Sequence, residues 1–327
     1  MAGTHDCGRR SATYSARVRP AIVSMRPRRG SGSWRVRSGA LLLVGISVTI
    51  AACSASAAGG PQGVGGGTGT SAQSSQSTRP APASSQTASA SASHWALTWS
   101  ADFKKPGALS KWLYYSGGTG FGLKQLQWYD AANASINDGG QLVITADRNN
   151  GGKKCWYGPC QYTSARMETK NTFTQTYGKF EARIKFPPGA GLWPAFWIEG
   201  ANVYQVGWPA CGEIDVIEPG GKNPYLVQGY AHATRLRHQA FLTVSQPITA
   251  GFHTYGVVWN SKGVTWYFDG YAFSHMSSYK GWPFGKPFFI ILNLAVGGGY
   301  PGPPNKSTPF PAHMVVDWIH VYRHVAG

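Results

Sequence analysis

Acid is scarce in this chain: 13 Asp and Glu stand among 327 residues, against 30 Lys and Arg. The excess of positive charge does not imply a nucleic-acid partner. Nine arginines and one acid fall in residues 1–53, which accounts for +8 of the net +17. The rest is spread without a long basic run, whereas a nucleic-acid footprint clusters on one element. Cysteine is also sparse, at five residues. Cys155 and Cys160 lack two further ligands at metal spacing, which excludes a zinc site. No stretch of a dozen residues carries a clear helical period, which excludes a helical bundle. The longest apolar run, residues 39–50, falls short of the roughly 20 residues that span a membrane.

That run follows the basic stretch from Met25 to Arg37 and has the length of a signal-peptide core. It ends in Ile50-Ala51-Ala52-Cys53, the form of a bacterial lipobox with Cys53 as the lipidated residue; ordinary secretory cleavage near Ala51-Ala52 is the other reading. Residues 1–53 are therefore expected to be an export signal, with Met25 as an alternative start. Residues 54–94 are almost wholly Ser, Ala, Gly, Gln, Thr and Pro up to Ser93, a composition that buries no core and predicts a disordered tether. Such a chain reaches about 35 Å. From His94-Trp95 the composition changes, and residues 95–327 hold 12 of the 13 tryptophans. One exported domain is expected, monomeric, and in contact with a membrane only through the anchor. Cys155 and Cys160 flank a Gly-Pro turn and suit a small disulfide loop in that setting.

Against this poverty of acid, three carboxylates fall within Glu213-Ile214-Asp215-Val216-Ile217-Glu218. The intervening residues are those of a buried strand, where an unpaired carboxylate is costly. Glu213 and Asp215 share a face of an extended strand. Glu218, five positions from Glu213, falls on the other face unless one extra residue, a β-bulge, intervenes. With the bulge the two glutamates are effectively four apart, about 13 Å along the backbone. On a curved sheet their side chains can lean to about 5–5.5 Å, the carboxyl separation of a retaining glycosidase. Close carboxyls also push one another's pKa values apart, which allows one to stay protonated beside an ionised neighbour. Cys211, two residues before Glu213, is read as a small buried apolar residue.

The remainder alternates as short strands do. Residues 178–186 send Phe180, Ala182, Ile184 and Phe186 inward and Glu181, Arg183 and Lys185 outward. Further strands are predicted over 141–146, 252–259, 264–268, 288–296 and 314–322, with Asp269-Gly270 as a turn. Many strands, few helices and Gly/Pro-rich turns predict an all-β sandwich or jelly roll.

Eight collinear motifs then carry a resemblance: YTSARMETK (162–170), YGKFEARIK (177–185), GLWPAFW (191–197), GEIDVIE (212–218), FHTY (252–255), WYFDG (266–270), ILNLAVGG (291–298) and VDWIHVY (316–322). Together they resemble glycoside hydrolase family 16, especially its laminarinase-like endo-β-1,3-glucanases, from about Trp99 to Tyr322. The resemblance implies a concanavalin-like β-jelly roll of two antiparallel sheets with a concave, open cleft. It implies a retaining hydrolase of β-glucan polysaccharide with Glu213 as nucleophile, Glu218 as general acid/base, and Asp215 holding Glu213 by a hydrogen bond. No cofactor is required.

Trp197 and Trp208 match positions that contact sugar beside the cleavage point, and Trp193 is read equally as core or cleft. Arg166, His232 and Asn293 resemble substrate-contacting positions; each is equally read as a structural hydrogen-bonding residue. Asp317, with backbone groups near Asp102 and Gly140, matches a structural calcium site of relatives. Two departures bear on the glycan. Leu123-Lys124-Gln125 stands where many relatives carry Asn-x-Glu. Arg235, Arg237 and His238 make the stretch after His232 basic, read as a solvated loop or as a preference for an anionic glycan. Other glycans (mixed-linkage glucan, galactan), transglycosylation, and a non-catalytic surface glycan-binding protein are the alternative readings.

Overall fold

The computed structural model describes residues 94–148 and 151–325. The expectations for the export signal, Cys53 and the tether up to Ser93 lie outside these residues. Two large sheets dominate. In the first, strands run in the order Tyr271–Ser277, Gly263–Phe268, His253–Asn260, Gly178–Lys185, Ala312–Val325, Leu142–Ala146, Ala134–Ile136, with His94–Ala101 also pairing to Ala312–Val325. The second runs Leu236–Thr243, Leu226–Ala233, Glu213–Ile217, Leu192–Gly200, Phe288–Val296, Arg166–Glu168, Leu113–Tyr114. Every pairing in both sheets is antiparallel. The longest α-helix among the described residues is the four-residue Val203–Val206.

Alternation explains how the sheets meet. Phe180, Ala182 and Ile184 are fully buried, while Glu181 and Arg183 of the same strand are only half-buried. They pack with Trp259, Trp266 and Phe288 and with the inward side chains of the second sheet, Phe196, Ile198, Ile214 and Leu292, as one core. Phe288–Val296 is buried along its whole length because it is central and covered on both faces. The predicted strands appear within a few residues of their expected bounds, the last longer than expected as Ala312–Val325.

One expectation is corrected. The basic stretch after His232 is a hairpin rather than an irregular loop, with its arginines exposed to solvent as expected. Leu226–Ala233 pairs with Leu236–Thr243, and Arg235 turns the chain with φ 62°. Arg237 lies opposite His232, its guanidinium 5.6 Å from the centre of the Tyr230 ring, while His238 stacks on Trp266. Arg235 in the turn and Arg237 on the strand both remain exposed, so the two arginine charges are solvated although the backbone that carries Arg237 is paired.

Candidate active site

The strand Glu213–Ile217 is held on both sides. Glu213 lies opposite Glu199 on one neighbour and His232 on the other, and Asp215 lies opposite Trp197 and Tyr230. The pairing then slips: Trp197 faces Asp215 but Phe196 faces Ile217, so Val216 is an extra residue on the acid strand. This is the predicted bulge. Val216 and Ile217 both enter the core, and alternation resumes one residue late with Glu218 on the face of Glu213 and Asp215. Glu218 is anchored there by its own N–H, which donates to the Gln228 carbonyl at 2.7 Å. From beneath, Trp266 Nε1–H donates to the Asp215 carbonyl at 2.9 Å. Gly229 makes room for that indole: a Cβ at 229 would stand 2.5 Å from Trp266 Nε1.

All three acids open into one cavity of about 300 Å³ with Trp193, Trp197, Trp208, Arg166 and Asn293. Each tryptophan has a defined task. Trp193 Nε1–H donates to Glu218 Oε1 at 2.7 Å, and Trp208 Nε1–H to Glu213 Oε2 at 3.1 Å. Trp197 Nε1–H donates to Asn293 Oδ1 at 2.8 Å, and the Arg166 guanidinium lies 4.8 Å from the centre of the Trp197 ring. Trp193, read equally as core or cleft, belongs to a small cluster with Tyr129 and Ala295, apart from the main core. Trp208 is 59% exposed and forms an open rim. His232 stands beside the acids, its Nε2 3.8 Å from Glu213 and 3.6 Å from Asp215.

Electrostatics sorts these groups. Burial, then mutual repulsion, pushes the carboxyls of Glu213 and Asp215 upward; burial does the same for Glu218, against the Trp193 hydrogen bond. Asp215 is raised well above the usual aspartate value, and its Oδ2 is buried without a donor. An ionised Asp215 would leave that oxygen uncompensated; a protonated one donates to Glu213 and resolves both problems. His232 cannot neutralise the cluster at neutral pH, because burial and then Arg237 push its imidazole down to about 4. The three raised carboxyls cannot all ionise together: the Trp208 N–H and Arg166 favour charge on Glu213, while the Trp193 N–H and Arg237 favour it on Glu218. One cavity thus holds a carboxylic acid and a carboxylate side by side.

The description "Glycosyl hydrolases family 16" matches residues 123–320. The chain belongs to glycosyl hydrolase family 16. Across 254 residues it is 36% identical to a beta-glucanase of Rhodothermus marinus, covering 71% of this chain and 86% of that protein. It is 36% identical over 241 residues to a glucan endo-1,3-beta-glucosidase of Cryptopygus antarcticus, covering 65% and 86%. The laminarinase catalytic domain of Thermotoga maritima superposes with a TM-score of 0.67 at 36% identity, over 71% of this chain and 99% of that one. The two sheets are those of the family 16 jelly roll.

Three further features of this family 16 domain bear on the expectations. Leu123 and Gln125 do reach the cavity wall, but the Gln125 side chain is occupied, its Oε1 accepting from Gln127 Nε2 at 2.9 Å. Glu199, which the sequence reading passed over, is a fourth acid of the cavity, 7% exposed and directly opposite Glu213. It shares the parity of Trp193 and Trp197 on its strand, so alternation alone would have placed it in the cleft. Cys211 is buried as expected, 3.8 Å from Glu199 Oε1, and burial pushes its thiol up to about 12, which keeps it from acting as a thiolate.

The third is the expected calcium site. Asp317 sits at a bulge and gives one oxygen to Arg183 at 2.7 Å and the other to Gln141 at 3.1 Å. Asp102 is turned to His320 at 3.1 Å, and Lys104 packs beside Gly140. A calcium ion at Asp317 would have to share or displace these contacts with Arg183 and Gln141. EDTA is expected to leave the melting temperature unchanged. A bound ion at a hundred times its Kd would instead be revealed by a fall of about 5–10 °C on chelation. The Cys155–Cys160 disulfide, by contrast, is formed.

Proposed function

We propose that this domain is a retaining endo-β-glucanase that cleaves β-1,3-glucosidic linkages in polysaccharide. The reading rests on one observation above all: the Val216 bulge, which turns Glu218 onto the face of Glu213 with Asp215 between them. In the first step Glu213 attacks the anomeric carbon, the glycosidic C–O bond breaks, and the proton of Glu218 passes to the departing oxygen. In the second, Glu218 takes a proton from water, the water oxygen bonds to the anomeric carbon, and Glu213 leaves. Asp215, kept neutral, orients Glu213 by donating to it. The indoles of Trp208 and Trp197 offer flat apolar faces to sugar rings, and Arg166, Asn293 and His232 complete the polar surround. The β-1,3 preference is supported by the activity of the Cryptopygus relative. Export is supported by the disulfide, which persists in oxidising compartments.

The test is a panel of laminarin, mixed-linkage β-glucan and galactan, read by reducing-end release, with the anomer of the first product followed by NMR. Release from laminarin with the β-anomer appearing first is expected. Turnover of galactan alone, or first formation of the α-anomer, would overturn the proposal. Keeping all three acids speaks against a purely glycan-binding role, which binding without turnover would reveal.

Glu199 supplies a prediction on pH. Its carboxylate faces Glu213, Cys211, Arg166, Glu168 and Lys170, and its charge raises the pKa of Glu213. Glu199→Gln removes that charge, so Glu213 ionises earlier. The acid limb of the kcat/KM profile should move to lower pH by about half a unit, about 0.7 kcal/mol of interaction. An unmoved limb would mean that Glu199 does not act on Glu213.

A further inference from the structure

The disulfide loop 155–160 lies outside the cavity, and none of the chemistry above uses it. It is stiff for its size. Lys154–Cys155 and Gly158–Pro159 pair as a minimal hairpin, and the Cys160 N–H donates to the Lys153 carbonyl at 3.0 Å. This loop is docked on residues 117–126, the segment that supplies Phe121, Leu123 and Gln125 to the cavity wall.

The docking is specific. The Trp156 backbone N–H donates to the Gly118 carbonyl at 2.9 Å, and Trp156 Nε1–H to the Gln125 carbonyl at 2.7 Å. The Tyr157 hydroxyl donates to the Leu126 carbonyl at 2.6 Å. The two backbones approach so closely that a Cβ on Gly118 would stand 2.5 Å from Cys155 Sγ, and one on Gly120 2.6 Å from Trp156 Nε1. The wall segment needs an external hold. Gly120, Phe121, Gly122 and Lys124 all have φ between 50° and 72°, a conformation that side chains other than glycine adopt only under constraint. What it holds matters to the cleft: the Arg166 guanidinium lies 5.2 Å from the centre of the Phe121 ring and 4.8 Å from that of Trp197.

We propose that Trp156 and Tyr157 are positioning residues: the disulfide-closed loop fixes the wall 121–125 and thereby sets how tightly the glucan chain is held at the Phe121–Arg166 end of the cleft. The proposal rests on the glucan-hydrolase reading. It assigns the loop no part in bond cleavage, since no loop side chain touches the carboxyls. Chain binding at this end depends on a wall that is already ordered, and loosening it costs affinity rather than chemistry.

The test compares wild type with Tyr157→Phe, which removes one oxygen, and with Trp156→Phe/Tyr157→Phe, which removes both side-chain donors. KM for laminarin should rise about threefold in the single variant and about tenfold in the double variant, with kcat within about twofold. Hydrogen exchange of amides 117–126 should accelerate in both variants, whether or not substrate is present. A single variant with unchanged KM and unchanged exchange overturns the positioning role, as does a fall in kcat at constant KM. A wild type that releases no reducing ends from laminarin, while the variants still accelerate exchange, instead overturns the glucanase reading alone.

Discussion

Replacing Glu213 by glutamine removes turnover of laminarin by at least about 10⁴-fold, while glucan binding survives. The amide keeps the size of the side chain and an acceptor for the Trp208 N–H, but it cannot form the covalent glycosyl intermediate. The same variant should be more stable than the wild type at neutral and alkaline pH. Burial and its acidic neighbours raise the Glu213 pKa above the ordinary 4.5. A carboxyl raised in this way binds its proton more tightly when folded, so its favourable contribution is full below the unfolded pKa and is lost as pH climbs through the folded one. Between these two values wild-type stability should decline relative to Glu213→Gln. The gap should reach about 1–3 kcal/mol, or several degrees of melting temperature. Melting curves collected across the window check this; two curves that run parallel would show that Glu213 ionises in the native protein as it does in the unfolded chain.

Glu218→Gln should give the second-largest effect, and its signature is dependence on the leaving group. A glucosidic oxygen leaves poorly without a proton, so kcat on laminarin should fall by about 10²–10⁴. An aryl glucoside with an acidic phenol needs no such help. Its first step should persist in the variant, and the glucosyl-enzyme should accumulate because no base activates water. A small anionic nucleophile such as azide should restore turnover with the aryl substrate. The alkaline limb of the pH profile, set by loss of the Glu218 proton, should vanish with the residue. Equal losses on laminarin and aryl glucoside would mean that Glu218 does not protonate the leaving oxygen.

Much of this site could be read from residue spacing alone. The offset of five between Glu213 and Glu218 demanded a bulge, and the pair Val216-Ile217, both apolar, marks where it falls. Strands such as Gly178–Lys185 and Leu142–Ala146 followed from alternation because each has one buried and one more open face, and the Cys-x-x-x-x-Cys spacing around Gly-Pro gave the disulfide. Other features stayed hidden for physical reasons. A hairpin with basic side chains has the composition of a solvated turn, and only the register opposite His232 brings the charge of Arg237 to bear on Glu218 and His232. Trp193 was ambiguous because an indole can be buried and still present an N–H, and it does both. Asp317 matched a calcium position, but the competing partner, Arg183, lies 134 residues away in sequence, where no local pattern connects them.

The hydrogen bond from Trp266 to the Asp215 carbonyl, made possible by the missing side chain at Gly229, has a practical consequence for anyone reshaping this enzyme. Libraries that randomise the groove lining would leave position 229 untouched as mere scaffold, yet its smallest enlargement would push an indole against the ribbon that aims the attacking acid. The back of that ribbon is as much a tuning point for turnover as its front.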